Sequence, residues 1–226
     1  MDVVILAAGR GIRLNEITKD LPKPLVEING KPLLDYLIKQ FSDQNLNNIY
    51  FIVGYKKEKI ISYVESIKNK YNINPKYIVQ KELKGPAHTL SLLPETISNE
   101  FILTVGDSVI YDLPYTEIIN SKYPIMLVEK TNKIYRKGII DVKGKFVVSC
   151  YYNSEKKEGY GLTDLTFLKL PKDIIEYAKN YNFSRKDTYI PELISDMIKE
   201  NKIKIGFLEY NGEIIHITSI DDLRKT

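Results

Sequence analysis

The chain has 226 residues, 43% of them hydrophobic and 27% charged, a length and composition typical of a globular protein with a substantial core. Its 33 basic and 29 acidic residues leave a net charge of +4 with the lysines scattered, which argues against a nucleic-acid-binding protein. The single cysteine, Cys150, excludes an intramolecular disulfide, and no apolar stretch is long enough to span a membrane, so we expect a cytoplasmic protein with this thiol buried.

An uninterrupted apolar run at residues 3–8 predicts a first strand that is buried on both faces in a parallel sheet. No basic region precedes this run, and it ends at a turn with Gly9 and Gly11, which is not the pattern of a signal peptide. Arg13 and Lys23 add two positive charges near the carboxyl end of the strand, where open α/β sheets bind their ligands. The loop therefore predicts a polyphosphate site, with an ordinary strand-to-helix turn as the alternative.

The spacing of this loop excludes the two best-known phosphate loops. Neither Gly9 nor Gly11 is followed by the Gly-Lys-Ser/Thr of a P-loop, and Leu14 stands where a Rossmann fingerprint has its third glycine. Lys23 has a proline on each side, and two prolines hold the lysine backbone stiffly. This favours a phosphate site over a rigid surface turn with an incidental lysine.

Strands and helices alternate through the next hundred residues. Pro32 opens a helix whose apolar residues have helical spacing as far as Phe41. Short connections between alternating strands and helices imply right-handed crossovers and a parallel sheet. Further strands are predicted at 48–55, 76–80 and 101–105, with helices at 56–70 and 87–97.

Beyond residue 112 the pattern becomes mixed, and hairpins accompany the helices. One predicted hairpin, at 138–149, turns at Lys143-Gly144, and another joins 202–209 to 213–217 at Asn211-Gly212. No repeat or linker interrupts the chain, so we predict a single domain over residues 1–226. The other elements predicted here are strands at 124–129 and 165–170, and helices at 171–181, 188–200 and 219–225.

Two later stretches place polar residues at strand ends. Gln80 ends the third strand, and its amide carries both a donor and an acceptor, which suits the edge of a pyrimidine. Gly85 then introduces a helix whose first turn offers free N–H groups, the alternative being an ordinary surface helix start. Asp107 follows the strand at 101–105 and is a candidate Mg²⁺ ligand, or otherwise a helix-capping aspartate.

The motif L-A-A-G-x-G-x-R at Leu6–Arg13, followed by P-K-P-L at Pro22–Leu25, resembles the signature of the sugar-phosphate nucleotidyltransferases, also called nucleotide-sugar pyrophosphorylases. Ile12 replaces the usual threonine. The resemblance implies an α/β protein with a three-layer α/β/α Rossmann-like nucleotidyltransferase fold and a mostly parallel mixed sheet. It also implies that residues 1–112 form a nucleotide-binding half and residues 113–226 an acceptor-binding half.

The resemblance assigns roles to the residues singled out above. Arg13 and Lys23 would be catalytic, and Asp107 would hold Mg²⁺. Pro86 departs from the usual threonine of the pattern Q-x-x-x-x-G-T-A-H, and we expect His88, at the end of that pattern, to be structural. The implied nucleotide-binding residues are Leu6, Ala7, Ala8, Gly9, Arg10, Gly11, Gln80, Gly85, Pro86 and Ala87.

The match to the family is weaker in the second half. The family usually supplies a second metal ligand near its end, but here Thr218 stands at that position and His216 at the acidic position before it. A threonine hydroxyl ligates only weakly, and histidine is a softer ligand than Mg²⁺ prefers. Either Asp107 and water hold the ion, or another residue supplies the second ligand. Residues 152–154 replace a Glu-Lys-Pro whose glutamate contacts sugar hydroxyls and whose lysine contacts the phosphate. Gly138 and Asp164 are the predicted substrate-binding residues, although a turn aspartate is an equal alternative for Asp164.

Together these features predict a Mg²⁺-dependent nucleotidyltransferase that couples a nucleoside triphosphate to a phosphorylated acceptor and releases pyrophosphate. Ala8 favours CTP or UTP, and a sugar 1-phosphate is the usual acceptor of the family. Because Glu-Lys-Pro is missing, phosphocholine or another small phosphorylated alcohol is an alternative acceptor. Because the family pattern near residue 218 is altered, a nucleotide-binding regulatory module without turnover is an alternative to an enzyme. The sequence predicts no nucleic-acid partner and no membrane span, and it leaves a homo-oligomer open.

Overall fold

The computed structural model of the protein describes residues 1–11, 18–82, 84–153, 159–183 and 188–217. Its strands are β1 (Asp2–Ala7), β2 (Glu27–Ile28), β3 (Lys31–Pro32), β4 (Asn48–Val53), β5 (Asn74–Val79), β6 (Glu100–Val105), β7 (Ser108–Ile110), β8 (Ile125–Thr131), β9 (Gly138–Lys143), β10 (Phe146–Tyr152), β11 (Gly161–Pro171), β12 (Gly206–Glu209) and β13 (Ile214–His216). Its α-helices are α1 (Leu33–Asp43), α2 (Lys57–Ile67), α3 (Tyr115–Asn120), α4 (Asp173–Asn180) and α5 (Ile190–Lys199), and 3₁₀ segments occupy Lys23–Leu25 and Ala87–Leu92.

The described residues divide into two compact units. Unit 1 comprises Met1–Lys81, Thr104–Leu113 and the described residues from Gly212 onwards, whereas unit 2 comprises Glu82–Leu103 and Pro114–Asn211. The chain therefore leaves unit 1 twice and returns to it twice. One of the unit boundaries falls beside the predicted division at residue 112, and the organisation of the chain as one domain with two halves stays a prediction.

Unit 1 is built on parallel strands, as the sequence predicts. β1 pairs in parallel with β4, which pairs in parallel with β5. Val4 and Ile5 point to opposite faces of β1 and are both buried, which is what the uninterrupted apolar run of a central strand requires. Directly after β6, the Gly106 N–H donates to the Leu6 carbonyl at 2.8 Å, so the carboxyl ends of these two strands lie side by side.

The helices of unit 1 follow the predicted pattern with small changes at their ends. α1 begins directly after Pro32 and buries Leu34, Ile38 and Phe41, so its apolar stripe packs into the core. α2 begins one residue later than predicted, because Lys56 has a left-handed backbone with a φ of +50°. None of the helices in the described ranges is long and apolar enough to cross a membrane.

Unit 2 contains antiparallel as well as parallel strand pairs. β8 pairs antiparallel with β11 and parallel with β12, and β10 pairs antiparallel with both β12 and β9. The helix α5 packs against β10, where the Cys150 thiol is buried and donates to the Pro191 carbonyl at 2.8 Å. The buried thiol and the mixed α/β architecture are therefore confirmed.

The predicted helix at 87–97 is wrong in its type and its length. Only Ala87–Leu92 is helical, as a 3₁₀ segment, and the following Leu93 is extended, with φ −69° and ψ 140°. A proline disfavours the helical conformation of the residue before it, so Pro94 ends the segment at this point.

The predicted hairpin at the end of the chain is also wrong. β12 does not pair with β13, because both of its edges are already occupied by β8 and β10. β13 instead pairs antiparallel with β7, in a register that places His216 opposite Ser108. This pairing brings the last described strand beside Asp107, which precedes β7. The helix predicted at 219–225 lies outside the described residues.

Candidate functional site

The loop after β1 contains two glycines with different structural tasks. Leu6 and Ala7 are the last residues of the strand. Gly11 has a φ of +61°, in the left-handed region that favours glycine, and a Cβ on it would lie 3.1 Å from Thr18 Cγ2. At Gly9 a Cβ would meet no atom of the described residues within 4 Å, so the backbone there is open to a ligand. The described part of the loop is therefore open at Gly9, as a polyphosphate site requires.

The end of β4 packs closely against this loop. A Cβ on Gly54 would lie 2.9 Å from the Ala8 carbonyl oxygen, so only glycine fits there. The Tyr55 N–H donates to the same carbonyl at 3.1 Å, and the Tyr55 hydroxyl donates to the Thr18 carbonyl at 3.0 Å. The Arg10 guanidinium stands over the Tyr55 ring, 5.8 Å from its centroid, which is within cation–π range. Tyr55, which the sequence did not single out, therefore orders the loop.

Lys23 is held beside Asp107 by the backbone around both residues. The 3₁₀ turn from Lys23 to Leu25 is closed by the Leu25 N–H, which donates to the Pro22 carbonyl at 2.8 Å. Pro24 then packs on Gly106, where a Cβ would lie 3.3 Å from Pro24 Cγ. The result is an ion pair in which Lys23 Nζ donates to Asp107 Oδ2 at 2.5 Å.

The charges around Asp107 keep this carboxylate ionised. Burial alone would raise the pKa of Asp107, but the Lys23 ammonium and His216 outweigh it and lower the pKa below its usual value. The Ser108 hydroxyl also donates to Asp107 Oδ1 at 3.4 Å and shares a close hydrogen bond with His216 Nδ1. Nearly a third of the Asp107 side chain, 31%, stays exposed, so a ligand can reach it.

The donor set at Asp107 fits a magnesium ion that takes most of its ligands from elsewhere. Within the described ranges, no group of three or more His, Cys, Asp and Glu side chains is arranged to hold a metal. Asp107 contributes one carboxylate, and phosphate oxygens and water commonly complete the shell of Mg²⁺. His216 Nδ1 is hydrogen-bonded to the Ser108 hydroxyl. Arg13 and Thr218 lie outside the described residues, so the roles predicted for these two residues stay predictions.

The residues predicted to contact the base are distributed over both units. In unit 1 Gln80 is 8% exposed, and its N–H donates to the Val53 carbonyl at 2.8 Å, which fixes the backbone at the end of β5. In unit 2 Gly85 has a φ of +90°, and Pro86 precedes the 3₁₀ segment. The Ala87 backbone N–H donates to the Thr188 carbonyl at 3.0 Å. The sequence predicted free N–H groups in this turn, and for Ala87 that prediction is wrong.

His88 packs against an aromatic neighbour in unit 2, and its structural role stays a prediction. Its ring packs edge-on against Phe183, with the centroids 5.2 Å apart. Its Nδ1 atom is buried and finds no hydrogen-bond partner in the described part of the chain. Burial lowers the pKa of His88, so the ring is neutral at physiological pH.

Gly138 and Asp164, the predicted substrate-binding residues, lie next to each other in unit 2. A Cβ on Gly138 would lie 2.6 Å from Pro191 Cγ and 3.2 Å from Asp164 Cβ. The Asp164 carboxylate is itself occupied, because it accepts hydrogen bonds from the Thr166 N–H at 2.7 Å and from the Thr166 hydroxyl at 3.1 Å. Thr166 has a φ of +51° within a bulge of β11. This geometry favours the turn aspartate over a ligand-binding one.

The structure also brings together a pair that the sequence did not reveal. Lys137 Nζ donates to Glu129 Oε1 in a close ion pair, and the buried Thr163 hydroxyl donates to the same oxygen at 3.4 Å. Glu129 lies in β8, Thr163 lies in β11, and Lys137 directly precedes β9. Because these residues are separated in the sequence, no local motif predicts that they meet. The only hint in the sequence is that Lys137 directly precedes Gly138, a predicted substrate-binding residue.

Comparisons with known proteins show the family to which the chain is similar. A family model described as Nucleotidyl transferase matches residues 2–125, more than half of the chain. The bifunctional protein GlmU of Methanocaldococcus jannaschii is 31% identical over 205 residues, covering 90% of this chain and 48% of that protein. The choline-phosphate cytidylyltransferase of Streptococcus pneumoniae is 28% identical over 234 aligned positions, covering 100% of this chain and 96% of that protein.

Solved structures extend the comparison to the whole fold. The chain spans about half the length of the GlmU relative, but it matches a crystal structure of UDP-glucose pyrophosphorylase complexed with UDP-glucose over 99% of its own length and 95% of that chain. The TM-score of this match is 0.85 at 18% sequence identity. The chain belongs to the nucleotidyl transferase family and has its Rossmann-like α/β fold.

Proposed function

We propose that the chain catalyses Mg²⁺-dependent transfer of a nucleotidyl group from UTP or CTP to a sugar 1-phosphate, with pyrophosphate as the second product. An oxygen of the acceptor phosphate forms a bond to the α-phosphorus, and the bond from that phosphorus to the bridging oxygen of pyrophosphate breaks. Because the second pKa of such a phosphate is about 6, the acceptor is already ionised at neutral pH and needs no general base.

The ion pair between Lys23 and Asp107 is the observation that carries this proposal. It lies beside the open glycine loop, at the carboxyl ends of neighbouring strands. Transfer of phosphoryl groups depends on positioning and charge neutralisation more than on a protein nucleophile. The Lys23 ammonium would bind the reacting phosphates, and Asp107 would hold Mg²⁺. When bound, the metal would supply positive charge that offsets the negative charge of the reacting phosphates. Arg13 would neutralise the leaving pyrophosphate, as the family resemblance implies.

The preference for a pyrimidine rests on the residues around the base. Ala8 in L-A-A-G resembles the uridylyl and cytidylyl branches of the family. Gln80 makes no side-chain hydrogen bond to any described residue, so its amide is available for the edge of a base. The resemblance also assigns Gly85, Pro86 and Ala87 to nucleotide binding.

A sugar 1-phosphate is proposed as the acceptor because the solved structure with the same fold holds a nucleotide sugar. Phosphocholine is a second candidate. Its support is the Streptococcus pneumoniae choline-phosphate cytidylyltransferase, which aligns over the entire chain, and the absence of Glu-Lys-Pro at residues 152–154. The two acceptors differ in chemistry, because a sugar offers hydroxyl donors and choline offers a quaternary ammonium.

Pyrophosphate release from four nucleoside triphosphates tests the proposal, with a panel of sugar 1-phosphates and phosphocholine as acceptors. We expect release with UTP or CTP that requires both Mg²⁺ and a sugar 1-phosphate and that stops on addition of a chelator. A purine preference would overturn the assignment of the base. Tight nucleotide binding without release from any pair would instead identify a regulatory module without turnover.

A further inference from the structure

Glu129 and Lys137 form a partly buried ion pair in unit 2. Glu129 lies in β8, and Lys137 is the residue immediately before Gly138 and β9. The glutamate side chain is 21% exposed and that of the lysine 32%, so both side chains are largely covered by protein but keep some contact with solvent. The pair can therefore be reached by a small charged molecule.

The carboxylate of this pair is oriented by a buried hydroxyl. Thr163 is fully buried, and it lies opposite Glu129 in the register of β11 and β8. Its Oγ1 atom donates to Glu129 Oε1, the atom that also accepts from Lys137. One oxygen of the glutamate is thus occupied twice by the protein. The described residues give Oε2 no such bond, so Oε2 is available to a donor from a ligand.

The lysine is positioned through its own backbone. The Asn153 N–H donates to the Lys137 carbonyl at 2.8 Å, and the Arg136 N–H donates to the Asn153 carbonyl at 2.8 Å. The Asn153 side chain is buried and donates from Nδ2 to the Ile134 carbonyl at 3.0 Å. A buried amide therefore fixes the segment from Ile134 to Lys137.

This support distinguishes the pair from the ordinary ion pairs of the same unit. Lys179 and Glu95 also form an ion pair, but they are 41% and 74% exposed, and that contact contributes little to stability. A partly exposed ion pair adds little to stability by itself, whereas holding it in one position with a buried threonine and a buried asparagine pre-organises a site for a ligand. Gly138, which is proposed to contact the substrate, directly follows Lys137.

We infer that Glu129 and Lys137 recognise the acceptor, a hydroxylated phosphate ester, with the ammonium on its phosphate and the free carboxylate oxygen on one of its hydroxyls. The inference rests on the proposed function and deepens it. The pair supplies, from β8 and from the residue before β9, an acid and a lysine of the kind that Glu-Lys-Pro provides elsewhere in the family. Asn153, at the place of that motif, supports the pair instead of contacting the ligand.

Steady-state kinetics of two isosteric variants tests this inference. Lys137→Met should raise the KM for every phosphorylated acceptor about 10- to 100-fold, since a charge-assisted hydrogen bond to phosphate is lost. Glu129→Gln should raise the KM about 10-fold for a sugar 1-phosphate, while an acceptor phosphate without hydroxyls is unaffected. Both variants should keep the parent's KM for the triphosphate. Lys137→Arg should restore most of the acceptor affinity.

Controls separate this inference from the function on which it rests. Lys179→Met and Glu95→Gln remove the exposed pair of the same unit and should leave both KM values unchanged. Calorimetric binding of UTP or CTP without acceptor reports whether each variant is folded. If the parent releases no pyrophosphate with any acceptor, the proposed function fails. If the parent is active but both variants keep its acceptor KM, or change the triphosphate KM equally, the acceptor assignment is wrong.

Discussion

Units 1 and 2 place charged pairs by different means. In unit 1 the Lys23–Asp107 pair is set by backbone, because prolines flank the lysine and Gly106 allows Pro24 to pack beside the aspartate. In unit 2 the Glu129–Lys137 pair is set by hydrogen bonds from Thr163 and Asn153, which reach it across strands. A backbone-built site tolerates little change in its small residues, whereas a site built from side chains can be altered one bond at a time.

The largest effect is expected from Asp107→Asn, which removes the negative charge from the Lys23–Asp107 pair of unit 1. The amide cannot offer Lys23 or Mg²⁺ a negative charge, so kcat for pyrophosphate release should fall about 10³-fold. Asp43→Asn, which removes an exposed pair with Lys39 on α1, should leave kcat unchanged. An Asp107→Asn enzyme with the parent's kcat and Mg²⁺ dependence would show that the metal is held elsewhere.

Gly106→Ala should have the next largest effect, because it shifts the position of Lys23 without removing a charge. A Cβ there would press at 3.3 Å on Ile5, on the Leu6 carbonyl and on Pro24, which displaces the turn that carries Lys23. We expect a loss of about 1 kcal/mol in the free energy of unfolding and about a 10-fold loss in kcat. Denaturant unfolding and pyrophosphate release measure the two.

Gly9→Ala is the matched control for that change. At Gly9 a Cβ meets no described atom within 4 Å, so the free energy of unfolding should stay within about 0.5 kcal/mol of the parent. If phosphates approach the backbone at Gly9, the KM for the triphosphate should nevertheless rise. An unchanged KM would remove Gly9 from the phosphate site.

Asn153→Ala tests whether hydrogen bonds from Asn153 hold the Glu129–Lys137 pair of unit 2 in place. It removes the hydrogen bond from the buried Asn153 side chain to the Ile134 carbonyl and should cost about 1–2 kcal/mol in the free energy of unfolding. Because that segment carries Lys137, the KM for the acceptor should rise several-fold, while the KM for the triphosphate stays constant. A larger rise in the triphosphate KM would contradict the separate roles of the two pairs.

Asp164→Asn should have the smallest effect on activity and a visible effect on stability. Burial raises the pKa of Asp164 to about 6, despite hydrogen bonds from Thr166 that lower it. From about pH 4 to 6 the folded state keeps a proton that the unfolded state releases, so the free energy of unfolding falls as pH rises. The asparagine variant should lack this decline, on the order of 1 kcal/mol, in thermal unfolding at pH 4.5 and 7. Identical pH profiles for the two proteins would show that the carboxyl titrates normally.

Local patterns predicted most of unit 1, because its elements follow each other in sequence and bury continuous stripes. The apolar run of β1, the proline at the start of α1 and the carboxylate after β6 are each properties of a few adjacent residues. The glycine loop, the lysine between prolines and Asp107 could therefore be found before their contacts were known.

Longer-range pairing explains what the sequence could not predict. Asn211-Gly212 is a strong local hairpin signal, but the edges of β12 are occupied by β8 and β10, so the expected partner strand pairs with β7. The Glu129–Lys137 pair depends in the same way on the register of β8 and β11. The sequence singled out Asp164 and Gly138 separately and did not predict that they are neighbours, and the bonds of Asp164 to Thr166 arise from a bulge that no local spacing indicates.

The pairing of β13 with β7 has a consequence for the order in which the protein can be made. Ile217, directly after β13, is fully buried in a cluster with Val26, Leu33 and Val109. During synthesis these residues emerge from the ribosome long before Ile217, and the whole of Pro114–Asn211 is translated in between. The nascent chain can complete this cluster, and the setting of Asp107 beside it, only after Ile217 has been translated.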